Sequence, residues 1–168
     1  MMSYESMLGA TREGRTRGHG RSDVRVVLVG VLVGFLVGAA IPVAMASSAQ
    51  SPYGYYTVYG IQYRNHATVV VNPSGSSGVL AYTGASAYPQ QTVPAGYIGV
   101  LARLYRNDAL VKQAGYFYNS EPLVGMSRST SPNYTAKHGA FFSYGVSRAY
   151  NGSGYGSFYT FKSPSLNW

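Results

Sequence analysis

From Tyr53 onward, short stretches of alternating apolar and polar residues, or of clustered β-branched residues, are separated by Gly, Pro, Asn and Ser. That rhythm is the signature of an all-β domain. Tyr55 to Tyr63 reads as a first strand, interrupted by Arg64-Asn65, and His66 to Asn72 as a second, with Val69, Val70 and Val71 supplying β-branched side chains. Asn72 to Gly78 carries turn chemistry, and Val79 to Tyr88 reads as a third strand despite its Gly, Ala and Ser content. Pro89 to Gly96 is a loop. A hairpin follows, with arms Tyr97 to Tyr105 and Leu110 to Asn119 around Arg106-Asn107-Asp108-Ala109. In the first arm Ile98, Val100, Ala102 and Leu104 fall on one face and Arg103 on the other, as a half-buried strand requires. Ser120 to Gly139 reads as a long polar loop. Ala140 to Tyr150 and Tyr155 to Ser163 form a final pair around Asn151-Gly-Ser-Gly154, where Asn-Gly favours a hairpin turn. Trp168 is expected either as a core plug or as an exposed contact. The expected architecture over residues 47–168 is a small antiparallel β-sandwich of about six to eight short strands.

A different pattern precedes it. Residues 1–25 are polar, Gly- and Arg-rich and without apolar periodicity, and Val26 to Ala46 is an uncharged apolar run of 21 residues. Two readings follow, a signal peptide or a single N-terminal transmembrane helix, since 21 residues at helical rise reach about 30 Å. Pro42 and the small residues Ala44 and Ala46 favour a signal peptidase cut after Ala46, with Ala49 as the alternative site. The exported domain would then be secreted. The other reading leaves it as the outward-facing part of a single-pass membrane protein. Gly30, Gly34 and Gly38 have the spacing of a membrane-helix contact, a weak signal in so Gly-rich a run.

Composition narrows the chemistry. There is no cysteine, so disulfides, thiol nucleophiles and Cys-based metal sites are excluded. After Ala46 eight basic residues face only Asp108 and Glu121, a net +6, which favours an anionic partner: a peptidoglycan precursor, teichoic acid or a lipid head group. The basic residues are scattered singly, so nucleic acid is not expected. Asp108 and Glu121 flank the Leu110 to Asn119 arm, whose length separates them too widely for a glycosidase pair. His66 and His138 lack the setting of a metal site, and a hydrolase built on His138 and a serine has no nucleophile motif to support it. The expectation is a non-enzymatic protein without cofactor.

Sixteen of the 17 tyrosines lie after Ala46, more aromatic surface than a small core can hide. Exposed Tyr among Ser, Gly and Asn makes an adaptable recognition surface. The candidate binding residues are Tyr116, Tyr118, Tyr144, Tyr150, Tyr155, Tyr159 and Arg148.

The order His66-Ala-Thr-Val-Val-Val-Asn72, a Gly/Ser turn, Ala95-Gly96 opening a strand, Arg106-Asn107 at its turn and Tyr116-Phe-Tyr-Asn119 closing the next resembles the lactococcin 972-like secreted bacteriocins over about Tyr59 to Asn119. The resemblance implies a small Cys-free exported β-sandwich, in a family whose type member acts on lipid II. The chain departs from that pattern in its PQQTVPAG region and in the aromatic hairpin after Gly139.

Overall fold

The computed structural model describes residues 45–168, in which antiparallel sheets predominate and helix is nearly absent. Strand β3, Ile61–Val71, organises the first sheet. Its Tyr63, Asn65, Ala67, Val69 and Val71 are buried while the residues between them are less so, the period of a strand with one face on a core. β1 (Ser47–Gln50) and β2 (Gly54–Val58) lie end to end along one edge of β3, and β4 (Val79–Ala87) lies along the other, with β9 (Gly125–Ser129) outside it.

Two four-stranded sheets make up the rest. One runs β13 (Leu166–Asn167), β10 (Ala140–Ser143), β6 (Arg103–Arg106), β7 (Ala109–Gln113). The other runs β12 (Tyr155–Tyr159), β11 (Val146–Tyr150), β5 (Ile98–Leu101), β8 (Phe117–Tyr118). Ser143 faces Leu104 and, three residues on, Val146 faces Leu101, so the same register runs through the break. The two sheets are halves of one bent layer, crossed by arms that each serve both halves.

The bend has a local cause. Thr83 of β4 presses against Gly145, and a Cβ at Gly145 would collide with the Thr83 hydroxyl and stand 2.9 Å from the Leu101 carbonyl. Polar groups close the broken ladder: Ser143 Oγ donates to the Tyr82 carbonyl, Gly145 N–H donates to Thr160 Oγ1, and Ser143 N–H donates to Ser163 Oγ. These residues form a polar belt between two apolar clusters. One cluster gathers Tyr63, Ala85, Val93, Ile98, Val100 and Ala149. The other gathers Val69, Val71, Val79, Ala81, Leu104 and Phe141, with Trp168 against its rim, donating from Nε1 to Asn72 Oδ1. Trp168 is thus a partly exposed cover on the core.

Several expectations are corrected. Tyr55 to Tyr63 is not one strand but a hairpin, turning at Tyr59 (φ 52°) and Gly60 (φ 74°). A two-residue turn with both φ positive matches the twist of the arms it joins. Arg64-Asn65 does not interrupt anything; both lie inside β3, where Asn65 is buried through hydrogen bonds to Ser147 and Phe158. Ser120 to Gly139 is not wholly irregular, since it holds β9, and β1 was not anticipated. Thirteen strands form among the described residues rather than six to eight, chiefly because the bend divides each long arm in two. Residues 1–25, the glycine spacing, Pro42 and Ala44 lie outside the described residues. Of the apolar run only Met45 and Ala46 are described, both exposed and directly before β1.

Candidate functional site

The outward face of the sheet β12, β11, β5, β8 collects the aromatic residues singled out above. Alternation does the sorting: on β11 Ser147 and Ala149 turn to the interior, leaving Arg148 and Tyr150 outward, and on β12 the exposed Tyr155 and Tyr159 flank Ser157. Tyr118, Gly99, Arg148 and Ser157 form one row across four strands. Gly99 is what brings them together. A Cβ there would stand 2.6 Å from the Tyr118 ring, so only glycine lets that ring lie across β5 toward Arg148.

Arg148 is held by three groups. Nη1 donates to the Tyr118 hydroxyl at 2.8 Å, Nε donates to Ser157 Oγ at 3.2 Å, and the guanidinium lies 3.7 Å from the centre of the Tyr116 ring. The bond to Tyr118 raises the pKa of the guanidinium above its already high ordinary value. Tyr118 packs against Tyr155 at 4.8 Å, Tyr155 meets Tyr150 edge-on at 5.9 Å, and Tyr150 meets Tyr97 at 5.1 Å and Tyr59 at 6.2 Å. A hollow of about 330 Å³ lies among Tyr97, Tyr150 and Tyr155, against Ala95-Gly96.

Five of the seven expected residues, Tyr116, Tyr118, Arg148, Tyr150 and Tyr155, therefore form one connected cluster. Tyr144 and Tyr159 stack on each other at 5.6 Å in a second group, beside Arg103 and Tyr105. Tyr59 and Tyr97 belong to the first cluster and were not among the expected residues. Tyr59 joins it only through the β2–β3 turn, a feature hidden while that segment reads as a single strand.

The groups weighed for catalysis do not converge. Asp108 pairs with Lys162 at 3.6 Å on the surface, and the Glu121 side chain is exposed, with only its backbone carbonyl accepting from Asn119 Nδ2. His138 stacks on Trp168 at 4.3 Å, and His66 meets Tyr53 edge-on at 5.1 Å. The Leu110 to Asn119 arm is broken between β7 and β8, so it is not the straight spacer between Asp108 and Glu121 that its sequence implied. Among the described residues no group of three or more His, Cys, Asp or Glu is placed to hold a metal ion.

Comparison with protein families, with curated proteins and with solved structures finds no match to this chain.

Proposed function

We propose that this chain is a secreted, non-enzymatic β-sandwich protein that binds an anionic component of a cell envelope through the Arg148 face, in the manner of a bacteriocin-like protein. The observation that carries the reading is a guanidinium fixed by two hydrogen bonds and a ring, with no carboxylate among its partners. Two of its five N–H groups are used on neighbours, and the others remain for a phosphate or carboxylate. The surrounding tyrosines offer flat apolar faces with hydroxyl rims, suited to the sugar or peptide portion of an envelope polymer.

Export rests on the leader, and the fold adds an argument about the cut. β1 starts at Ser47, so cleavage after Ala46 keeps every β1–β3 pair, whereas cleavage after Ala49 removes the partners of Val71, Val70 and Val69. A full-length mass recovered from a membrane fraction would instead place the same domain on a tether.

The test is cosedimentation of the exported protein with peptidoglycan and with vesicles containing lipid II, alongside growth inhibition of related bacteria. Binding that weakens about tenfold in Arg148→Gln supports the reading, a loss of about 1.4 kcal/mol. Protein that neither cosediments nor inhibits growth refutes it.

A further inference from the structure

Two hollows meet at Tyr53, and of the expected binding residues only Tyr159 lines either of them. The first, about 500 Å³, opens between β2 and β12, edge strands of different layers. Tyr53, Tyr55, Tyr159 and Phe161 stand around it with 38%, 53%, 57% and 56% of their surface exposed. Behind them the Tyr56 and Phe158 rings stack at 3.9 Å, and no charged side chain lines the cleft. Gly54 and Asn65 belong to its lining. The amide of Asn65 has one possible orientation, because Nδ2 faces the Phe158 carbonyl, which can only accept. Its Oδ1 therefore points to Gly54, buried and without a hydrogen-bond partner. A Cβ on residue 54 would come within 2.7 Å of that oxygen, so glycine is what fits between the acceptor and the cleft.

The second hollow, about 380 Å³, lies on the outer face of the first sheet. Gly84 and Ser86 of β4 lie beside Ser127 and Gly125 of β9, so four small residues make a trough. Arg64 borders it, its guanidinium 4.7 Å from the centre of the Tyr53 ring and 5.3 Å from that of Tyr88, with Nε donating to Ser86 Oγ at 3.1 Å. The four N–H groups on its terminal nitrogens make no hydrogen bond among the described residues, and no carboxylate lines the trough.

Each hollow selects for one chemistry. Exposed aromatic rings without charge, beside a buried unpaired acceptor, suit the C–H face and the O–H or N–H groups of a sugar. An oriented guanidinium over small residues suits an oxyanion. We infer that Tyr53 joins the two into one site for an anionic glycan, the sugar ring in the aromatic cleft and its phosphate or carboxylate on Arg64. The cleft shares Ser157 and Tyr159 of β12 with the edge of the Arg148 face, but its anion partner is Arg64, so the inference does not depend on Arg148 holding an anion.

Titration of the exported protein with maltotetraose, oligogalacturonate, glucose 6-phosphate and inorganic phosphate, followed by NMR, tests it. The charged sugars are expected to bind at least tenfold more tightly than maltotetraose and to shift the Tyr53 and Phe158 ring signals. The stronger of the two shows whether a carboxylate or a phosphate is preferred. Arg64→Gln should reduce them to the neutral level, and Arg64→Lys should restore part of the difference. Tyr53→Ala, at an exposed position, should weaken neutral and charged sugars alike. Equal binding by wild type and Arg64→Gln overturns the proposal, as does inorganic phosphate binding as tightly as the charged sugars, which would leave an anion trough with no role for the cleft.

Discussion

Ser147 Oγ meets the Tyr56 hydroxyl at 2.8 Å and accepts from Asn65 Nδ2 at 2.8 Å, so Ser147→Ala strips two interior groups of a partner at once. The expected cost is about 2–4 kcal/mol in urea denaturation. Burial pushes the Tyr56 phenol up to about 12, and the bond to Ser147 works against that rise. In Ser147→Ala the tyrosine should titrate later still, visible in ultraviolet absorbance. Thr83 Oγ1 is buried without a hydrogen-bond partner, so Thr83→Val should be neutral or stabilising by about 1 kcal/mol, whereas Gly145→Ala forces a methyl into the same spot and should cost about 1–3 kcal/mol. His66 has its pKa lowered by burial and then by Arg64. A folded pKa below the unfolded value of about 6.5 means that protonation favours the unfolded chain. Stability is therefore full above that value and declines as pH falls through it, with a slope of at most about 1.4 kcal/mol per pH unit that His66→Gln removes.

The bent arms are the elements on which the candidate site depends. Gly99→Ala should push the Tyr118 ring off β5 and break its bond to Arg148, lowering envelope binding about tenfold or more while the denaturation midpoint moves little, because the ring is partly exposed. The existence of these arms was legible: Ile98, Val100, Ala102 and Leu104 alternate as expected, and all four are buried. Their division was not, because it falls where Gly145 meets Thr83, about sixty residues away in the chain. Tyr59-Gly60-Ile61 and Tyr144-Gly145-Val146 look alike, yet the first is a hairpin turn with positive φ and the second a crossing between half-sheets. Local sequence cannot separate them; their partners do. The tyrosine face was legible in part, since period-two alternation on β11 and β12 fixes Arg148, Tyr150, Tyr155 and Tyr159 on one side. The Tyr53 site was not, because its walls come from different sheets, with Tyr53 to Tyr56 and Asn65 on one side and Ser157 to Phe161 on the other, about ninety residues apart in the chain.

Among the described residues, most of the positive charge rests on aromatic rings. Arg64, Arg103, Arg128, Arg148 and Lys162 each lie over a Tyr or Phe, while the ion pair found among the described residues is Lys162 with Asp108. An arriving anion therefore displaces almost no internal carboxylate. Ligand binding should weaken steeply as salt rises, while the midpoint of thermal unfolding stays nearly constant, a contrast that parallel titration and melting at two salt concentrations would check. The division of the interior into two apolar clusters has an optical consequence. The chain's single tryptophan, Trp168, borders one cluster, and the partly buried Tyr56 packs against the other. Trp168 emission and the ring resonances of Tyr56 in NMR thus report on opposite ends of one core, and superimposable unfolding curves from the two would mean that the polar belt transmits cooperativity instead of interrupting it.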